Sequence, residues 1–340
     1  MFKEFHSNIK TLMQNNNIWL DQYEIKSNKR NGGQSLCFPI KDKDKTIFIA
    51  KFFDYMKDIP NDIVQLNNQN YKCIDEFEQA IAELSISDNI ETILEIIYYS
   101  KRSFNRYVEI SEKTDGIFPK VYVSNENIRI KDRFYGLLIE EYVEGENLRD
   151  IIDSIDRKTT NVSQYSINFL NSVSRTLKKY SDNKIVHRDI SPDNIIISNT
   201  GNVVIIDPGV IKIVDRNSTN LGYIMGKRTY ASPEQYYGNA LHTDFSSDLY
   251  ALGIIIYEII TGINLISKYI LTGKPHLEIV KNMDRELEDL FFDVVDYEDE
   301  KNIFLYSIIK KMIQEDKNLR FSNIEAFIQA ISILNSKEGK

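Results

Sequence analysis

The chain has 340 residues, 42% apolar and 27% charged, so it can bury one large or two medium cores. A net charge of −8 argues against nucleic acid or an anionic membrane as the main partner. Two cysteines, Cys37 and Cys73, match neither a disulfide framework nor a zinc site and point to a reducing cytoplasm.

In chain order, MFKEFHSNIK lacks the apolar stretch of a signal peptide, and residues 1–20 read as an amphipathic helix or lead-in. Thr46–Phe53 and Tyr135–Val143 are rich in aromatic and β-branched residues and read as strands. Between them, residues 56–113 have mostly helical periodicity, as in Ile74–Leu84 and Ile93–Lys113. Beyond Gly145 the pattern is helical over Leu148–Ile155 and Ser166–Tyr180, and two short strands around 195–205 flank a turn at 199–202. A long polar loop, 212–229, precedes helices near 247–261, 284–292, 303–314 and 323–334. The longest apolar run, Tyr250–Ile260, contains Glu258 and is shorter than the roughly 20 residues that span a bilayer, so it reads as a buried helix. A small sheet-bearing lobe, a hinge near 141–145 and a larger helical lobe fit this order.

Three places carry chemistry. Residues 185–197 set His187, Arg188, Asp189, Ser191, Asp193 and Asn194 between apolar β-branched runs, which puts reactive groups on a short loop clamped by buried strands. The spacing lets Asp189 hold a substrate hydroxyl while Asn194 holds a metal ion. Further on, Asp207-Pro208-Gly209 follows the apolar run Val203–Ile206. A carboxylate at a strand end beside a flexible glycine suits Mg²⁺ between phosphates, although Asp-Pro-Gly is also a plain turn signal. Lys51, flanked by apolar residues on an inward-facing strand, needs a carboxylate or phosphate partner, because a buried unpaired ammonium is costly. Its bland alternative is an edge-strand lysine facing solvent.

His187–Asn194 resembles the H-R-D-x-x-x-x-N loop of the eukaryotic-like (Hanks-type) serine/threonine protein kinases. The resemblance runs over residues 23–334 and implies an α+β, two-lobed protein-kinase-like fold. A small β-rich N-lobe would occupy 23–143, with a helical insertion at about 56–100, and a larger mainly helical C-lobe 144–336, after an N-terminal extension at 1–22. It implies ATP and Mg²⁺ as cofactors. Asp189 would accept or orient the acceptor hydroxyl proton, Asn194 and Asp207 would hold Mg²⁺, and Lys51 would contact the α- and β-phosphates. The acidic partner of Lys51 would come from the helix ending near Thr114, with Glu109 the first choice and Glu112 the second. Residues 29–37 overlie the phosphate-covering loop, where Gly32-Gly33 would approach phosphates; a hairpin turn there is the alternative. In the hinge, Glu141 C=O and Val143 N–H would meet adenine, sandwiched by Ala50, Ile196 and Cys37. Glu140 would stand at the back of the pocket, paired with Lys51 or protonated. Gly226–Glu234 resembles G-T-x-x-Y-x-A-P-E, with Glu234 paired to Arg320, and Asp248 would support the loop backbone.

The departures are specific. Pro208 replaces the phenylalanine of D-F-G, and Ser191 replaces a lysine that contacts the γ-phosphate in the family. Lys227 stands where the family has a hydroxyl, so Lys227 and Ser191 are read as having exchanged roles; a solvated Lys227 and a slow enzyme is the alternative. The arginine-containing loop of tyrosine-specific relatives is absent from Ile190–Asn194, so serine or threonine is the expected acceptor on protein substrates. Arg188 would receive a phosphorylated loop, with Ser218 and Thr219 as candidate sites and a homodimer for autophosphorylation in trans. Two rivals stand beside this reading. One is a pseudokinase scaffold. The other is a small-molecule kinase of the aminoglycoside or choline type, which usually lacks the Tyr230–Glu234 segment.

Overall fold

The computed structural model describes residues 2–18, 23–25, 35–42, 45–66, 71–83, 90–114, 116–208, 212–213, 229–236, 243–270 and 287–337. The chain divides into two compact units, Met1–Val143 and Glu144–Lys340.

The first unit is built on an antiparallel sheet of five strands: β1 (Tyr23–Ile25), β2 (Ser35–Asp42), β3 (Lys45–Asp54), β4 (Val121–Ile130) and β5 (Arg133–Glu141). Their order is β1-β2-β3-β5-β4. Successive side chains of a strand point to opposite faces, and here each face has its own helical cover. On one face Ala50 and Phe52 of β3 join Leu137 and Ile139 of β5 and meet α1 (Phe2–Asn15) through Phe5, Ile9, Leu12 and Met13. That spacing is one stripe of a helix, and burying four such side chains contributes about 1.5–3 kcal/mol each. Of the two readings of residues 1–20, the amphipathic helix is the one present, and it is part of this core. On the other face Phe53 and Leu138 meet α3 (Ile74–Glu83) and α4 (Ile90–Lys113), after the short α2 (Asn61–Leu66). The approach is close: a Cβ on Gly136 of β5 would lie 2.5 Å from the Tyr55 hydroxyl and 2.6 Å from the Phe104 ring of α4.

The second unit is mainly helical: α5 (Leu148–Ser154), α6 (Val162–Asp182), α7 (Pro233–Tyr236), α8 (Phe245–Thr261), α9 (Leu265–Ile270), α10 (Glu300–Met312) and α11 (Ile324–Ser336), with residues 287–292 also helical. Two small sheets accompany them. One orders β6 (Gly145–Asn147), β8 (Ile195–Ser198) and β9 (Val203–Ile205) as β6-β8-β9; the other pairs β7 (Ile185–Val186) with β10 (Lys212–Ile213). Helix α8 is buried from Ser246 to Ile260, as an all-round apolar helix must be, and α6 and α10 pack on it. A capping box at Asp244 and Ser247 starts α8, and Gly262, at φ 76, ends it in the left-handed conformation that glycine adopts without penalty. No helix among the described residues is long and apolar enough to cross a membrane.

Candidate active site

In the first unit Lys51 is 2% exposed, and its ammonium lies 2.8 Å from Glu140 Oε1, itself on a residue 2% exposed. Lys51 also donates to the Tyr107 hydroxyl at 2.9 Å, and that hydroxyl donates to Glu140 Oε2. The expected pairing of Glu140 with Lys51 is present, and the assignment of Glu109 is corrected. Glu109 sits two residues beyond Tyr107 on α4, turned about 200° around the helix, and pairs there with Arg106 and Lys113. Glu112, the second choice, is exposed. Ala50 is corrected too: it lies on the sheet face opposite Lys51, fully buried in the core under α1, and cannot line a nucleotide site. The strand neighbour sharing the face of Lys51 is Ile49. Cys37 stands directly across from Lys51 in the β2–β3 register and is half-buried. Glu141 is exposed and donates its N–H to Lys120 C=O, and Val143 follows it at the end of the unit.

In the second unit the loop 187–194 is held from below and from the side. Asp248, in the first turn of α8, accepts the backbone N–H groups of His187 at 2.7 Å and Arg188 at 2.8 Å. Burial pushes the Asp248 carboxyl up to about 7, against the pull of those two bonds and of the Arg188 charge. His187 Nε2 lies 3.2 Å from Ile206 C=O, and Nδ1 accepts from the Asp189 N–H at 3.3 Å. One ring nitrogen donates and the other accepts, which is the neutral imidazole, and burial lowers its pKa to about 4, with Asp207 pulling the other way.

Asn194 Nδ2 donates to both Asp189 C=O and Asp189 Oδ2, each at 3.0 Å. With its nitrogen committed, the Asn194 side-chain oxygen is the atom left to face a metal. Ile206 N–H bonds Asn194 C=O at 2.8 Å, which brings the next residue, Asp207, to the same loop. Arg188 and Asp207 have φ of 69° and 63°, a left-handed backbone unusual for side-chain-bearing residues. Ser191 is buried at 1% exposure, and Ile196 is half-buried on β8.

The loop's outer support is a second set of buried groups. Arg320 is fully buried; its guanidinium bonds Glu234 Oε1 at 2.8 Å and Oε2 at 3.1 Å, and also the carbonyls of Gln314, Ser246 and Glu315. Burial pushes the Glu234 carboxyl up, but Arg320 and the Ser247 hydroxyl outweigh it and hold the pKa below the usual range. Gln235 donates to Arg188 C=O at 2.7 Å, and the Arg188 Nε–H donates to Thr243 Oγ1 at 2.9 Å. Tyr230 donates to Glu258 Oε2 at 2.6 Å, and Arg149 bonds the other oxygen, Oε1, at 2.8 Å. Sequence reasoning missed Tyr107, Gln235 and Thr243. Tyr107 had a signal, since it falls on the apolar stripe with Phe104 and Ile110 that α4 buries. Gly32, Gly33, Gly209, Ser218, Thr219 and Lys227 lie outside the described residues.

The second unit's donor set fits Mg²⁺: a carboxylate and an amide oxygen are the hard ligands it takes alongside phosphate oxygens. In the first unit, a buried lysine held by the Glu140 carboxylate fits a phosphate-contacting role.

The protein kinase domain family matches residues 62–331. Serine/threonine-protein kinase D of Synechocystis is 29% identical over 331 residues, 93% of this chain and 53% of that protein. A probable serine/threonine-protein kinase of Clostridium perfringens is 36% identical over 127 residues, 37% of this chain and 18% of that protein. Serine/threonine-protein kinase PknB of Mycobacterium leprae is 37% identical over 127 residues, 37% of this chain and 20% of that protein. The chain thus spans about half, or less, of the length of these relatives. Members of the family use ATP with Mg²⁺. The matched stretch includes the loop of Asp189 and Asn194, the strand end of Asp207 and the Glu234–Arg320 pair, whereas Lys51 precedes it. With most of its length covered by that match, this chain belongs to the protein kinase domain family.

Proposed function

We propose that this chain transfers the γ-phosphoryl group of ATP to serine or threonine hydroxyls of protein substrates. The observation that carries the reading is the Asn194–Asp189 hydrogen bond, in a loop bonded to the strand end that bears Asp207. Bound Mg–ATP supplies an activated phosphoryl group and a counter-charge for its oxygens. Asp189 orients the acceptor hydroxyl and takes its proton, a task worth about 10²–10⁴-fold in rate. The Asn194 oxygen and the Asp207 carboxylate hold the metal, and Lys51 neutralises phosphate charge. None of these groups forms a covalent bond, so their contribution is positioning and charge.

The serine/threonine preference is supported by the names of the relatives and by the lack of an arginine in Ile190–Asn194. Residues 23–143 and 144–336 act as the N- and C-lobes. The exchange of Ser191 and Lys227 belongs to the same proposal, as do the phosphorylation sites Ser218 and Thr219, used by a homodimer in trans. A cytoplasmic location is consistent with the two free thiols. A second reading, a scaffold without turnover, is favoured by Ser191 and Pro208 at positions where the family has lysine and phenylalanine.

Incubation with Mg²⁺ and γ-labelled ATP, followed by mass-spectrometric mapping, separates the two. The expected result is phosphoserine or phosphothreonine on the chain or on a generic basic substrate, lost in Asp207→Asn. A wild-type chain that transfers no label would favour the scaffold.

A further inference from the structure

The carboxylate that meets Lys51 stands on the sheet, and the helix beside it offers a phenol instead. Across β3 and β5, Lys51 faces Leu138 and Ile49 faces Glu140. Glu140 is therefore the diagonal neighbour of Lys51 on one sheet face, a position within reach of long side chains. The sheet register alone builds this ion pair.

Helix α4 buries Ile93, Ile97, Phe104, Tyr107, Ile110 and Ser111, none of them a carboxylate. Its contribution is the Tyr107 hydroxyl, which has one proton to give and lone pairs to accept with. It gives the proton to Glu140 and accepts from Lys51, so it engages both members of the pair. The ring is set against Phe53, centroids 5.6 Å apart, and Lys51 Nζ lies 5.1 Å from its centroid.

We propose that Glu140 and Tyr107 are the positioning residues of Lys51: the strand carboxylate fixes its ammonium, and the helix hydroxyl narrows the geometry of the pair. The inference rests on the reading of Lys51 as a phosphate-contacting residue. Its consequence is an order of dependence. Where a helix supplies the carboxylate, displacing that helix breaks the ion pair. Here displacement of α4 removes the two hydrogen bonds of the Tyr107 hydroxyl and leaves the ion pair standing, so Lys51 stays poised by the sheet.

The test is the affinity for Mg–ADP by titration calorimetry, together with the melting temperature, for wild type, Tyr107→Phe, Glu140→Gln, the double variant and Glu109→Gln. Glu140→Gln should weaken binding about 10–100-fold, as losing a charged partner does, and Tyr107→Phe roughly 3–10-fold. The double variant should be within about 2-fold of Glu140→Gln, because the hydroxyl acts through the pair. Glu109→Gln should bind like wild type. Affinity unchanged in Tyr107→Phe, or lost in Glu109→Gln, would overturn the inference while leaving the kinase reading in place. If Glu140→Gln melts early, Tyr107→Phe, which keeps the ring, decides alone. A wild-type chain that does not bind Mg–ADP would overturn the kinase reading and the inference together.

Discussion

Lys51 and Asp189 are both charged groups in restricted surroundings, yet the two units hold them by different means. In the first unit the anchor is side chain to side chain, a buried ion pair whose partners are adjacent strands of one sheet. In the second unit the anchor is on the backbone: the Asp248 and Gln235 side chains and the Ile206 N–H bond the main chain of the loop, and the Glu234–Arg320 pair stands behind them. A strand is rigid enough to aim a lysine by register. A loop has no ladder of its own, so groups distant in sequence must hold its backbone.

If that contrast is right, its consequences are graded. Arg320→Ala should cost the most, about 3–5 kcal/mol, because it leaves Glu234 buried without its cation. Denaturant unfolding checks this, and a loss below about 1 kcal/mol would mean that the loop has other support. Asp248→Ala should cost about 1–3 kcal/mol in all, because the two N–H groups it orphans are partly offset by removing a carboxyl that burial disfavours. It should also depress phosphoryl transfer more than nucleotide affinity. Gly136→Ala probes the first unit: its Cβ would meet the Tyr55 hydroxyl and the Phe104 ring, an overpacking cost of about 1–3 kcal/mol. Thermal melts report it, and a neutral result would show that α4 can withdraw from the sheet.

The smallest effect is in acid. Arg320 holds the Glu234 pKa below its unfolded value of 4.5, so the unfolded chain binds more protons as the pH falls. The stabilisation is fully present above pH 4.5 and is lost as the pH falls through the folded value. The stability difference between wild type and Glu234→Gln should therefore shrink on acidification. A difference that grows would contradict the ion-pair account.

The same contrast explains what was legible in the sequence. Asp189, Asn194 and Asp207 declare themselves because local spacing and flanking apolar runs define their loop. The choice between Glu109 and Glu140 as the Lys51 partner does not, because it depends on which way a helix faces and how two strands register. Lys51 and Glu140 are 89 positions apart, and nothing local joins them. Ala50 was misplaced for a related reason. The run Ile47–Phe53 is apolar on both faces, so the alternation that would assign each residue to a side is hidden. Strand β4 went unread because Ser124–Asn127 is polar, and the Asn125 side chain caps Asn127 N–H where the ladder shifts register. The buried helix at 250–260 was plain, since an unbroken apolar run of that length leaves few other structures.

In the proposed reaction Asp189 acts in the transfer step and does not bind the nucleotide. Measuring Mg–ATP affinity and the rate of γ-phosphoryl transfer side by side for wild type and Asp189→Asn tests it most directly. Affinity should stay within about 2-fold of wild type while the transfer rate falls by about 10²–10⁴. An Asp189→Asn variant that transfers phosphate at the wild-type rate would contradict it.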